Sequence, residues 1–444
     1  MSRWIWLAAG LILGADWLRR SVAASIGMSK LPDVTAPEWN RLPGTSEKQP
    51  SVTVVVPARN EGASVEQCLR SLLSQDYSAL DVCAVDDRSL DETGRIMDRL
   101  QQESPSKLRV IHVAELPAGW LGKTHAMWRG ALESKSDWIL FTDGDILFRP
   151  DALRRTIAYA EANQRDHLVI FPTMIMKSFG ERMMLGFFGF ASVLLLRAWK
   201  VSDPKTKDFI GAGAFNLIRR RAYEEVGTYQ ALRMEVIDDL MLGKAVKQHG
   251  FAQDCVVGPG LVSLRWADGA FGVVRNLQKN MFSLLSFSWP LAVLAAFGAT
   301  LYHLGPWLGI IMAPGIAKLG FGIAILSILL LYTRQSQMFR VSAWFFLTQP
   351  IASVMFVYTL LNSAISSVVH GGVLWRGTTY RLDEIRTANE LTRRAGEERR
   401  RRLVDSSYTG PERRSDPNRP TLEADNRFSS TSLKSSRVLG NVED

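Results

Sequence analysis

The chain has 444 residues, with 53 Lys and Arg against 44 Asp and Glu, a formal charge of +9, and 47% hydrophobic residues. That length allows roughly two or three domains. Three scattered cysteines, Cys68, Cys83 and Cys255, exclude a disulfide-built secreted fold and fit no zinc spacing. Residues 287–317 and 341–369 carry no Asp, Glu, Lys or Arg, and 318–333 carry only Lys318, so the chain is neither an ordinary soluble protein nor a disordered one.

The first predicted element is an apolar stretch, Trp4–Ala15, extended past Asp16 by Leu18. It is short for a span, which needs about 20 residues. Arg3 before it and Ala23-Ala24 after it fit a signal peptide. Arg19-Arg20 argue instead for an uncleaved anchor over residues 1–20 with its C-terminal flank in the cytoplasm. Residues 21–50, Pro-rich and polar from 31 onward, read as a linker. From Ser51 short apolar runs alternate with helical patterns. Strands are predicted at Val52–Val56, Val82–Val85, Leu108–Val113, Trp138–Thr142 and Leu168–Phe171, and helices at 62–75 and 91–102. This alternation predicts an α/β domain with a mostly parallel central sheet, helices on both faces, and ligands at the carboxyl ends of the strands.

Those strand ends carry charge. The first ends in Pro57-Ala58-Arg59-Asn60-Glu61, the second in Asp86-Asp87-Arg88-Ser89 and the fourth in Thr142-Asp143-Gly144-Asp145. A further pair, Asp238-Asp239, starts a predicted helix. Singly, each is an ordinary cap or turn former. In this order they resemble the inverting family 2 glycosyltransferases with the GT-A fold, over about residues 51–270. The apolar segments behind resemble the membrane-bound, lipid-modifying subgroup, which includes carotenoid and hopanoid-associated glycosyltransferases and ceramide glucosyltransferase.

The resemblance implies the following roles. Asp239 is the catalytic base that takes the acceptor proton, and Asp238 supports it as helix cap or partner. Asp145 is a direct ligand of Mg²⁺ or Mn²⁺, with Asp143 on the ribose or on the metal through water, and Gly144 lets the phosphates approach. Asp86 binds base and ribose and favours a uridine nucleotide. Pro57 and Glu61 line the nucleoside edge, with Arg59 and Asn60 either structural or in contact with it. Lys123, in Trp120-Leu121-Gly122-Lys123-Thr124-His125, reaches the nucleotide phosphates or stays solvated, and His125 is a ligand contact or a packed ring. Gly211 and Gly213 line the sugar and acceptor side or mark a strand bulge. Arg275 and Lys279 face diphosphate or lipid headgroups, or form a basic stripe on an interfacial helix at 271–286.

One departure bears on the product. The Gln-x-x-Arg-Trp signature of processive synthases is broken, because Val262 precedes Arg265-Trp266. The expected function is therefore transfer of a single sugar from a UDP-sugar to a lipid hydroxyl. A processive polysaccharide synthase and a non-catalytic nucleotide-sugar or lipid-binding membrane protein are the alternatives. The positive residues cluster beside apolar segments, which calls for anionic lipid and not for nucleic acid.

Residues 287–369 predict two spans, Phe287–Ala313 and Gly315–Thr333, followed by a third span or a re-entrant hairpin at 341–369 broken at Gln349-Pro350. The hairpin satisfies the positive-inside rule for Arg334, Arg340 and the basic tail. It places Trp375–Tyr380 at the cytoplasmic interface near the active site, in an inner-membrane protein whose catalytic domain is cytoplasmic. Residues 370–444 read as a basic, largely disordered tail.

Overall fold

A computed structural model describes residues 2–43, 49–390 and 394; the part of the expected tail from 395 onward lies outside the described residues. Its strands are β1 (Val52–Ala58), β2 (Leu80–Asp87), β3 (Leu108–Val113), β4 (Trp138–Phe141), β5 (Leu147–Phe148), β6 (His167–Ile170), β7 (Thr173–Met174), β8 (Asn216–Arg219), β9 (Gln253–Val256), β10 (Val262–Leu264), β11 (Gly372–Trp375) and β12 (Thr378–Arg381). Every residue of β1 is buried, as expected of a β-branched run covered by helices on both faces. It sits inside a seven-stranded sheet of order β3-β2-β1-β4-β8-β6-β9. All neighbours pair in parallel except β8, which runs antiparallel to β4 and β6. The strand order reverses at β1, so the carboxyl ends of β1, β2 and β4 open a crevice there.

The helices are α1 (Ser2–Met28), α2 (Val65–Leu73), α3 (Thr93–Glu103), α4 (Gly122–Leu132), α5 (Ala152–Ala162), α6 (Phe179–Leu196), α7 (Arg220–Glu225), α8 (Thr228–Ala231), α9 (Asp238–Gln248), α10 (Gly269–Leu284), α11 (Trp289–Met312), α12 (Ala317–Phe339) and α13 (Gln349–Val369). Among the described residues, four segments are long and apolar enough to cross a membrane: Phe179–Lys200, Trp289–Met312, Ala317–Ser336 and Ala343–Val369. The first of these, α6, lies within the catalytic half of the sequence, where no apolar helix was expected.

Three boundaries differ from expectation. α1 runs unbroken to Met28, through the expected start of the linker, because no proline occurs before Pro32. The linker itself is docked: Val34 is fully buried, its N–H donates to the Val257 carbonyl (2.9 Å), and Arg155 donates to the carbonyls of Thr35 and Ala36. Pro350 does not break the third apolar segment. It falls in the first turn of α13, where a missing N–H costs nothing, and the preceding residues Ala343–Thr348 form a 3₁₀ turn. Finally, residues 370–390 are not a disordered tail. β11 and β12 form an antiparallel hairpin and 382–390 are helical, because Val373, Tyr380 and Ile385 find a buried apolar cluster with Leu121, Phe282 and Phe287.

Candidate active site

Six sequence-predicted residues meet where the end of β4 and the start of β8 face the starts of α4 and α9. Lys123, in the first turn of α4, sends its ammonium to Asp143 (2.7 Å) and Asp238 (3.4 Å). The Asp143 N–H donates to the Gly213 carbonyl (3.0 Å). A side chain at Gly213 would press on the Asp143 carboxylate at 2.6 Å, so this glycine is required for close approach. The Gly213 and Leu240 N–H groups each donate to one carboxylate oxygen of Asp239 (both 2.7 Å). Gly211 packs directly on the Asp239 backbone.

A buried polar network holds this arrangement from behind. Gln253 donates to His167 Nδ1 (2.8 Å) and to the Gly243 carbonyl (3.0 Å), and accepts from the Ile210 N–H (3.0 Å). His167 pairs through Nε2 with Asn216, whose amide donates to the Asp239 carbonyl (3.3 Å). Burial pushes His167 down to about 4, so the ring is neutral and carries its proton on Nε2.

The carboxylates divide by electrostatics. Burial acts to raise Asp143, but the Lys123 ammonium, aided by Lys279 and Arg376, outweighs it and holds the group below the usual carboxylate range. Burial, then the charges of Asp143 and Glu61, push Asp145 up to about 7. Burial pushes Asp238 up to about 6 despite Lys123, with Asp239 and Asp143 adding to it. Lys123 is raised, because Asp143, Asp238 and Asp239 overcome its burial. Among the described residues no three His, Cys, Asp or Glu side chains stand at metal-ligand spacing. Asp143 and Asp145 offer two carboxylates, and Mg²⁺ is commonly held by one or two carboxylates plus substrate phosphates. The crowding that raises Asp145 is the kind a divalent cation relieves.

At the nucleoside edge, Asp86 accepts from the Ser89 N–H (3.2 Å) and meets His112 Nδ1 (3.1 Å). Asn60 adopts a left-handed conformation (φ 53°) and ties the β1 and β2 loops by accepting from the Leu90 N–H (2.8 Å). Pro57 and Gly144 stand together, and a Cβ on Gly144 would meet Ala58 and the Pro57 carbonyl at ordinary contact distances of 3.4 and 3.5 Å, so that glycine faces the end of β1. His125 is a packed ring: it lies between Trp120 and Trp128, and burial lowers it.

Lys279 comes within reach of the cluster and lies over the Trp375 ring at 4.4 Å. Arg275, one turn earlier on α10, is exposed and makes no ion pair among the described residues, so it stays outside the site. Sequence reasoning gave no role to Glu61's partner, Arg376, nor to Glu235, which burial pushes up to about 7 beside Lys244 and Asp238. It placed Trp375–Tyr380 near the site but gave no contact to Tyr380, whose hydroxyl accepts from the Gly122 N–H at the start of α4 (3.1 Å). No periodicity marks these residues; the topology brings them to the cleft.

Comparison with known proteins agrees with this geometry. The profile of glycosyl transferase family 2 matches residues 53–227. A 4,4'-diaponeurosporenoate glycosyltransferase of Staphylococcus aureus is 23% identical over 343 residues, covering 75% of this chain and 89% of the relative. Another Staphylococcus aureus sequence of that name is 26% identical over 238 residues, covering 53% and 61%. A mannosyltransferase from Pyrobaculum calidifontis, solved with GDP-Man and Mn²⁺, is 17% identical with a TM-score of 0.49, covering 82% of this chain and 99% of that one. Residues 53–227 are thus a glycosyl transferase family 2 domain, followed in this chain by apolar helices.

Proposed function

We propose that the chain transfers one sugar from a UDP-sugar to a hydroxyl of an apolar lipid, with inversion, at a membrane surface. The observation that carries this reading is the Asp239 carboxylate, held in place by two backbone N–H groups opposite the Lys123–Asp143 pair. Asp239 takes the proton of the acceptor hydroxyl. The freed oxygen pair forms the new bond to the anomeric carbon from the face opposite the leaving group. The bond from that carbon to the diphosphate breaks, and its electrons leave on the phosphate oxygen. Lys123 meets that negative charge. Asp143 and Asp145 would hold the divalent ion, which supplies further charge neutralisation on the diphosphate. Asp86 and Pro57 border the nucleoside.

An apolar cavity supports a lipid acceptor. Met28, Phe171, Phe188, Trp199 and Met338 line it, and Phe171 belongs to the same cluster as Ala212, between Gly211 and Gly213. The relatives' name, diaponeurosporenoate glycosyltransferase, points to a lipid acceptor as well, in their case one that carries a carboxylate.

The test uses full-length protein in lipid vesicles with UDP-sugars and a bacterial lipid extract, read by mass spectrometry. A glycosylated lipid should form, chelator should abolish it, and Mn²⁺ or Mg²⁺ should restore it. Asp239→Asn should still bind UDP and lose on the order of 10²–10⁴ in rate, as removal of a general base does. Full activity in excess chelator removes the metal role. A rate within a few-fold for Asp239→Asn removes the base and turns the reading toward an acceptor already ionised, such as a carboxylate.

A further inference from the structure

We propose that Arg376, carried by the β11–β12 hairpin behind the last apolar helix, grips the diphosphate of the donor. The inference rests on the nucleotide-sugar reading above and deepens it.

The hairpin is fixed over the cleft. Val373 and Tyr380 face each other across its ladder and are buried with Leu121, Met234 and Val236, residues that lead into α4 and α9. The Tyr380 hydroxyl accepts from Gly122, and Thr378 accepts from Arg59 at the end of β1 (3.2 Å). Its turn therefore points at the carboxyl edge of the sheet.

The turn itself is strained in an informative way. Arg376 and Gly377 have φ of 48° and 77°. Two positive values are the mark of a type I′ turn, in which Asn-Gly is the favoured pair. Glycine suits its place, whereas a long arginine does not. A strained residue retained beside a catalytic cleft points to work done by its side chain. That side chain reaches the Glu61 carboxylate and stays 46% exposed, and its charge acts on both Asp143 and Asp145.

Three cations from separate parts of the chain thus converge: Lys123 from α4, Lys279 from α10 and Arg376 from the hairpin. Of these only Arg376 offers the planar fork that fits phosphate in two-point contact. Arg265, the arginine of the broken signature, is already taken by Glu181 (3.4 Å) and Asp268. When donor enters, Arg376 exchanges Glu61 for phosphate oxygens.

Titration of UDP and of uridine, separately, into the full chain in detergent micelles tests this. Arg376→Asn removes the guanidinium while placing a favoured residue in the turn. It should weaken UDP binding about tenfold or more, as loss of a charge-assisted contact does, and leave uridine within twofold. Its melting temperature should not fall. Arg376→Lys should recover part of the UDP affinity. Unchanged UDP binding in Arg376→Asn overturns the inference, and so does an equal loss for UDP and uridine, which marks a purely structural arginine. Failure of the unaltered chain to bind UDP overturns the donor reading itself and, with it, the inference.

Discussion

Asp238 and Asp239 are chemically identical neighbours with different surroundings. Asp238 is 2% exposed and has one oxygen without a protein partner, while both oxygens of Asp239 are held by N–H donors at the cleft. Burial and like charge raise Asp238 to about 6 and Asp145 to about 7. A carboxyl raised in the folded state binds its proton more tightly there than in the unfolded chain, where the value is about 4. Its contribution to stability is therefore complete at low pH and is lost as pH rises through the folded value. Asp143, lowered by Lys123, acts in the opposite sense and only toward more acid pH. Without metal or donor, stability should decline between about pH 4 and 7 by on the order of 1–3 kcal/mol, and Asp145→Asn should flatten the decline. Thermal melts across that range, for both proteins, check it; a parallel decline in the two removes Asp145 as the source. Mn²⁺ added to the unaltered chain at neutral pH should recover much of the loss.

Among the elements, those with both faces buried were legible from sequence, and those completed by long-range pairing were not. β1 and the Val82–Val85 centre of β2 announce themselves as continuous apolar runs, and β3, at the sheet edge, as the mixed run Leu108–Val113. β8 and β9 begin with Asn216 and Gln253, which look like loop residues until His167 is seen to pair with both. The aspartates of the site were readable because each follows its strand or opens its helix. Arg376 was placed near the site only as part of Trp375–Tyr380, and its reach to Glu61 was not readable, because it depends on how α13 returns the chain to the sheet. The N-terminal helix shows a similar dependence. α1 lies along α12 where Gly10 and Gly14 face Ala317 and Gly320, and a Cβ on Gly14 would stand 2.5 Å from the Gly320 carbonyl oxygen. Small residues at such a crossing let apolar helices pack backbone to backbone. Asp16, costly in an apolar setting, is paired with Arg19, Arg20 and the Tyr302 hydroxyl. Gly14→Leu should force the helices apart and lower stability by roughly 1–3 kcal/mol, the usual cost of overpacking. Leu301→Val, on an exposed face of α11, is the control and should leave the detergent melting temperature nearly unchanged. An unshifted melt for Gly14→Leu would show that the contact contributes nothing.

At the scale of the whole molecule, both ends of the third apolar segment lie against the catalytic domain. Phe339, at the end of α12, packs on Gly189, and with Met338 it borders Met28 and Phe171; the hairpin after α13 reaches Glu61 and Gly122. Gln349, at the start of α13, accepts from Trp307 Nε1 (2.6 Å), a residue inside α11 and not at its end. The descending limb is thus the short 3₁₀ turn and the ascending limb the 21-residue helix. We expect the segment to enter and leave a membrane on one face, the face of the catalytic domain. In intact cells, a cysteine replacing His370 should resist an impermeant thiol reagent, while one replacing Lys318, at the start of α12, should react. Labelling of the His370 position from outside would establish an ordinary third span.

The position of the hairpin also sets a timetable. Synthesis begins at the N-terminus, so Glu61, Lys123 and the five aspartates of the site leave the ribosome before any residue of α11, α12 or α13. Tyr380 and Arg376 emerge after all of them. Until then the start of α4 lacks its hydroxyl partner and Glu61 lacks its arginine. A nascent chain, or one cut by a protease between α12 and α13, carries the full set of carboxylates beneath an open roof. Completion of the cleft is in this way tied to delivery of the entire protein into its bilayer.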